Sequence, residues 1–259
     1  MEFPKTLIKR NGYIERIKPF MRKNIAKVLT GQRRVGKSFL LYQLMDQLLV
    51  EEPDANIIYI NFEDFAFSHI QTAEDMHAYI MSKFRKEKYN YIFVDEIQEI
   101  VNFERVIRSL LLNENNDIYI TGSNAKMLSG ELATYLSGRY IEFSVYSLSY
   151  LEFLAFHKLE NNNESLYLYS RYGGLPYLIN LPLKDETVNE YLKSVYSTIV
   201  FRDVVSRYNL RNSSFLEKLV QFLSENIGNL FSAKNISDYL KSQHSTISVN
   251  QIQNYTEYL

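Results

Sequence analysis

The sequence has no cysteine and no tryptophan, and only nine glycines and five prolines in 259 residues. Without thiols there is no disulfide and no thiolate metal site. That usage suits a reducing compartment, and a cytoplasmic location is the expectation. The four histidines, His69, His77, His157 and His244, show no H-E-x-x-H or comparable spacing, so no histidine metal centre is indicated. No apolar run is long enough to span a bilayer, and Met1–Lys5 lacks the apolar stretch of a signal peptide. No membrane partner is therefore expected. Charge of one sign is also lacking: 29 Lys and Arg stand against 30 Asp and Glu, a net charge of -1. Nothing in that balance draws the whole chain to nucleic acid or to an anionic surface. There is no internal repeat.

What is present is a chain rich enough in apolar residues, at 46%, to bury a sizeable core. Its most informative stretch is Gly31-Gln32-Arg33-Arg34-Val35-Gly36-Lys37-Ser38, of the form G-x-x-x-x-G-K-S. Before it, Ile25–Thr30 reads as a short buried strand. After it, Phe39–Leu49 is apolar at helical spacing. Strand, glycine loop and helix together make a phosphate cradle: the glycines let backbone N–H groups turn inward, and the helix N-terminus adds a positive dipole end. The cradle is expected to comprise Gly31, Gln32, Arg33, Arg34, Val35, Gly36, Lys37, Ser38 and Phe39. Lys37 would reach the terminal phosphates, and Ser38 would ligate Mg²⁺.

About 60 residues further on, Tyr89–Val94 runs into Asp95-Glu96. An apolar strand emptying into two acids supplies a Mg²⁺ ligand, Asp95, and a group to orient or deprotonate water, Glu96. Asn56–Phe62 reads as another strand, ending in Asn61, Glu63 and Asp64; Asn61 or Glu63 orients catalytic groups or caps a loop. Asp117–Thr121 leads into Gly122-Ser123-Asn124, where Ser123 and Asn124 are candidate sensors of phosphate state, against a plain Gly-Ser turn. A helix over 126–137 stops at Ser137-Gly138. Arg139 precedes the strand Tyr140–Val145 and is a candidate phosphate-contacting cation, or pairs with a surface acid.

Five strands alternating with helices predict a five-stranded parallel α/β sheet of the phosphate-loop nucleoside triphosphatase (NTPase) kind, with nucleotide at the C-terminal strand ends. Residues 5–22 are expected to form an amphipathic helical lead-in, and helices are expected over 72–86 and 103–112. From 147 the periodicity turns helical, through the break Gly173-Gly174-Leu175-Pro176, to a helix over 191–208. In that helix Arg202 either meets nucleotide or a neighbouring subunit, or pairs with Asp203. Helical patterns over 214–226, 232–241 and 248–259 suggest a helix-turn-helix or winged-helix unit, with Ser248 and Gln251 forming a capping box. Between Ser245 and Leu259 there is no Lys or Arg, so a protein contact or self-association suits this module better than DNA. The expected organisation is a core over 1–146, a helical lid over 147–211 and a module over 212–259. The module is expected to be incomplete, the sequence being a piece of a longer one, since it stops without a helix cap or wing strands.

Six motifs in this order resemble those of prokaryotic AAA-type ATPases close to the STAND signalling ATPases, which carry a C-terminal domain of unknown function. They are Gly31–Ser38, Phe93–Glu96, Thr121–Ser123, Leu136–Arg139, Gly173–Pro176 and Val200–Asp203. The resemblance covers nearly the whole chain. It implies an AAA-like core, a helical lid, a winged-helix module, ATP with Mg²⁺, and Arg139 as a phosphate-contacting arginine. Longer members continue into a domain similar to restriction-endonuclease folds. The expected activity is Mg²⁺-dependent ATP hydrolysis coupled to movement of lid against core. The alternatives are a nucleotide-gated switch or scaffold with little turnover, phosphotransfer to a small molecule, and a DNA-stimulated ATPase.

Overall fold

The computed structural model describes residues 4, 7–122, 135–136, 138–206, 213–242 and 248–258. Its framework is a five-stranded, all-parallel sheet of β1 (Ala26–Thr30), β2 (Asn56–Asn61), β3 (Asn90–Asp95), β4 (Asn116–Gly122) and β5 (Tyr140–Ser144), in the order β2-β3-β4-β1-β5. The expected fold class is therefore the observed one. β1, β3 and β4 are buried along their whole length, as inner strands covered on both faces must be.

Side chains alternate between the faces. Leu29, Tyr91, Phe93 and Tyr119 point one way, into a core shared with α1 (Asn11–Ile17) and α2 (Lys37–Glu51). Leu40, Leu41, Leu44 and Leu48 of α2 recur at helical spacing and fill that layer, where Phe93 stacks on Tyr119 with ring centroids 4.4 Å apart. Val28, Ile92, Val94, Ile118 and Ile120 point the other way, against α3 (Ala73–Ser82) and α4 (Phe103–Leu110). Thr72 and Asp75 cap α3 reciprocally, so the helix starts where Thr72 marks it. The lead-in helix is shorter than its periodicity suggests: α1 passes at Lys18 into a 3₁₀ turn containing Pro19. Of the helix expected over 126–137, only residues 135 and 136 are among those described, and they are helical.

Beyond the sheet, Ser149 and Glu152 form a capping box on α5 (Tyr150–His157), and α6 (Asn163–Tyr172) follows. The Gly173–Pro176 break folds back. Leu148 N–H donates to the Gly174 carbonyl at 2.7 Å, and a Cβ on Gly174 would meet the Leu148 carbonyl oxygen at 2.3 Å. Packing divides the chain after Lys184, inside the helical block 147–211. The second unit comprises α7 (Asp185–Thr198), which winds on as a π-helix over Ile199–Ser206, then α8 (Ser213–Glu225), α9 (Ala233–Ser242) and α10 (Val249–Tyr258). Val200, Val204, Phe215, Leu216, Leu219, Ile236, Leu240 and Ile252 form its core. The Ser248–Gln251 capping box is present, with Gln251 N–H donating to Ser248 Oγ at 3.3 Å. Among the described residues this unit contains no strand.

At the N-terminal end of the sheet lies a buried polar cluster. Lys27 Nζ of β1 donates to Asp117 Oδ1 and lies 4.6 Å from the Tyr119 ring centroid. Asp117 also accepts from the Tyr119 hydroxyl and the Arg22 N–H, each at 2.7 Å. Burial pulls the Lys27 ammonium below its ordinary pKa, opposed by the charge and hydrogen bond of Asp117. Removing one partner strands the other charge. Asp117→Ala is expected to destabilise the protein by about 3–5 kcal/mol in a denaturant titration, whereas a loss under about 1 kcal/mol would mean that the cluster is not desolvated.

Candidate functional site

The site is built at the C-terminal ends of β1, β3 and β4, which the parallel register brings side by side. After Thr30 the chain turns through left-handed conformations at Gly31, Arg34 and Gly36, and Gly36 opens α2. Gly31 is required twice over. Its φ is +143°, and a Cβ there would meet the Val145 carbonyl oxygen at 2.2 Å. Lys37 is 4% exposed and folds back over the loop, donating to the carbonyls of Gly31 at 2.9 Å and Gln32 at 3.1 Å. Its ammonium lies 3.9 Å from Glu96 Oε1. Burial pulls the Lys37 pKa down, opposed by the charges of Glu96 and Asp95.

Asp95 ends β3 fully buried. It accepts a hydrogen bond from the Thr121 hydroxyl, and the Ser38 hydroxyl adjoins it and favours its charged form. Burial pushes its carboxyl above the usual range, against those two contacts. Glu96 follows with φ +55°, a left-handed residue that swings its side chain out of the strand. Its backbone N–H donates to Thr121 Oγ1 at 3.0 Å, and its Oε2 accepts from Gln98 Nε2 at 2.6 Å. Lys37, Ser38, Asp95 and Glu96 are thus brought together as the sequence motifs suggested.

The remaining candidates divide. Arg33 pairs with Glu63 at 3.2 Å, so Glu63 braces the loop, while Asn61 Oδ1 accepts from the Glu63 N–H and caps a turn. Val35 is buried, Arg34 and Gln32 are exposed, and Phe39 stands outward in the first turn of α2, edge-on to Tyr42. Ser123 and Asn124 lie outside the described residues, as do the side chains of Arg202 and Asp203. Arg139 stands apart from the loop. It immediately precedes β5, whose first residue pairs with Ala26 at the start of β1. It is exposed at the N-terminal end of the sheet, about 16 Å of strand from Gly31. It does not reach the loop of its own chain.

Two residues that were not among the candidates for the site hold it in shape. Thr121 bridges Asp95 and the Glu96 backbone; its place as the last β-branched residue of β4 was the available signal. Arg10 is 3% exposed and far from any motif. Its guanidinium donates to the Val35 carbonyl of the loop and to the Tyr146 carbonyl, each at 3.0 Å. It also grips Glu152 of α5 through both carboxylate oxygens, at 2.8 and 3.0 Å. A Cβ on Gly36 would meet Pro176 Cγ at 3.7 Å, so the Gly173–Pro176 turn also adjoins the loop.

Chemically, Ser38 and Asp95 set a hydroxyl and a carboxylate in contact, hard oxygen donors suited to Mg²⁺, which takes few protein ligands beside phosphates and water. No group of three or more His, Asp or Glu that could by itself hold a metal ion gathers among the described residues. No helix among them is long and apolar enough to cross a membrane.

Burial alone would raise the Glu152 carboxyl, but the hydrogen bonds and charge of Arg10, with the Ser149 N–H, outweigh it and hold it below the usual range. A carboxyl lowered on folding stabilises the fold above its unfolded pKa and loses that contribution as pH falls through the folded value. Glu152→Gln is accordingly expected to lower the melting temperature at neutral pH and to flatten its fall on acidification. Parallel acid limbs for the two proteins would contradict this.

A family model described as AAA domain matches residues 23–154, and a second, Domain of unknown function (DUF8612), matches residues 163–259. An uncharacterized protein of Haemophilus influenzae is 35% identical over 262 residues, covering 98% of this chain and 65% of that protein. One of Methanocaldococcus jannaschii is 32% identical over 250 residues, covering 91% of this chain and 54% of that protein. The chain therefore spans between 54% and 65% of the length of these two relatives. Among solved structures, domain III of the Thermotoga maritima replication initiation protein DnaA has a TM-score of 0.46 at 14% identity, covering 68% of this chain and 82% of that one.

Proposed function

The chain belongs to the AAA domain family, and on that premise we propose that it binds ATP and hydrolyses it with Mg²⁺. One observation carries the reading. The lysine of the phosphate loop stands 3.9 Å from Glu96, while the loop serine adjoins Asp95. In this reading Lys37 and the loop backbone hold the β- and γ-phosphates. Ser38 and Asp95 hold Mg²⁺, which when bound neutralises charge on the phosphate oxygens. Glu96, set by Thr121, orients and deprotonates the attacking water. Burial strengthens each of these contacts, and the chemistry is positioning and charge neutralisation. Arg10 and the Gly173–Pro176 turn touch the loop, which supports a coupling of loop occupancy to the helices after the sheet.

Glu96→Gln is expected to retain ATP binding and to lower turnover by about 100-fold or more. Hydrolysis at the unmodified rate would remove Glu96 from this role.

The placement of Arg139 favours a second element. Exposed at the far end of the sheet, it suits the phosphates of a neighbouring copy, so turnover would require self-association. Without neighbours the chain would then serve as a nucleotide-gated switch with little turnover. DNA is the less favoured partner, since α10 carries no Lys or Arg. The helix-turn-helix reading of 212–259 and a location in the cytoplasm belong to the same proposal. Arg139→Ala and Glu96→Gln should each be inactive alone and regain activity on mixing, because each supplies what the other lacks. A mixture as inactive as its components would refute action across an interface.

A further inference from the structure

Gln98 lies two residues beyond Glu96, in the 3₁₀ turn Ile97–Glu99. Its Nε2 donates to Glu96 Oε2 at 2.6 Å. The other oxygen of that carboxylate faces Lys37 at 3.9 Å. This bond fixes which way the amide is turned, because the reverse orientation would set an amide oxygen against a carboxylate oxygen. Gln98 Oε1 is then left buried, with no hydrogen-bond partner among the described residues. A buried acceptor without a donor costs stability and calls for a reason. The Glu96 carboxylate is an acceptor and cannot supply one. The missing partner is a donor next to a carboxylate, and water has two hydrogens to give.

We propose that Gln98 positions the attacking water, its amide nitrogen holding Glu96 and its buried oxygen accepting one hydrogen of the water whose other hydrogen goes to Glu96. The proposal rests on the reading of this site as one that hydrolyses ATP. In the step, the water oxygen forms a bond to the γ-phosphorus. The bond from that phosphorus to the bridging oxygen breaks, and its electron pair leaves with ADP. The water proton passes to Glu96, and Gln98 exchanges no proton. A planar amide is suited to this because one rigid group sets the base and the nucleophile together, and misplacement of either is costly in rate.

The test is single-turnover hydrolysis of ATP, with ATP binding measured in parallel, on the full chain and on three variants. Gln98→Met keeps the length of the side chain and loses both polar atoms. Gln98→Glu keeps shape and an acceptor oxygen and loses the donor to Glu96. Glu96→Gln is the control for the underlying reading. The expected result is a loss of about 100-fold in the single-turnover rate for Gln98→Met and Gln98→Glu, with ATP affinity within about twofold of the unmodified protein. A merely structural role would move affinity and melting temperature along with the rate. Rates within about twofold of the unmodified protein for Gln98→Glu, with Glu96→Gln inactive, would overturn the proposal and leave the ATPase reading standing. Should Gln98→Met fail to fold, the near-isosteric Gln98→Glu decides alone. No hydrolysis by the unmodified protein at any concentration would overturn both.

Discussion

The site depends on one hydroxyl. Thr121, at the end of β4, donates to Asp95 and accepts from the backbone N–H of Glu96. This ties two adjacent acids to a neighbouring strand at the point where β3 leaves the sheet. The bond is available only because β3 and β4 are parallel and paired in register up to Val94 and Ile120, so that their next residues meet. From there the acids diverge. Asp95 stays in the strand direction and meets Ser38, whereas Glu96 adopts a left-handed conformation and meets Lys37 and Gln98. A one-residue slip of β4 would send Thr121 to the other face and release both.

The sheet carries buried charge at both ends and apolar layers between. At its N-terminal end Lys27 and Asp117 are satisfied within the fold, with Arg22 and Tyr119 completing the shell. At the C-terminal end Lys37 is held by two loop carbonyls and a carboxylate that also serves Gln98. The first cluster closes on itself and reads as structural. The second contains a buried acceptor without a donor, and reads as a place where something else arrives. Arg10 belongs to the second cluster from a distance. One guanidinium joins the loop, the chain after β5 and the first helix beyond the sheet, so those segments share a fixed geometry.

Much of this was legible in the sequence because it is local. A glycine loop between an apolar strand and an apolar helix, and an apolar strand ending in two acids, announce their chemistry within a few residues. The parallel sheet followed from five strands alternating with helices, and the start of the last helix from Ser248 and Gln251. What was not legible depends on strand direction or on long-range contacts. Arg139 looked like a phosphate ligand from its motif, but a parallel β5 begins at the end away from the loop. Arg10 carries no motif, and its partners lie 25 to 142 residues along the chain. The Gly173–Pro176 break read as an end of helix, and its approach to Leu148 and Gly36 is a tertiary fact. The block 147–211 read as one helical lid from periodicity, whereas packing divides it after Lys184.

The central claim is that the turn after β1 receives a triphosphate with the end of β3 facing it. A crystal structure with Mg²⁺ and a non-hydrolysable ATP analogue tests it most directly. The expected result is phosphate oxygens on the loop backbone and on Lys37, with the metal at Ser38 and Asp95. Nucleotide bound elsewhere, with Lys37 still folded on the Gly31 and Gln32 carbonyls, would contradict it.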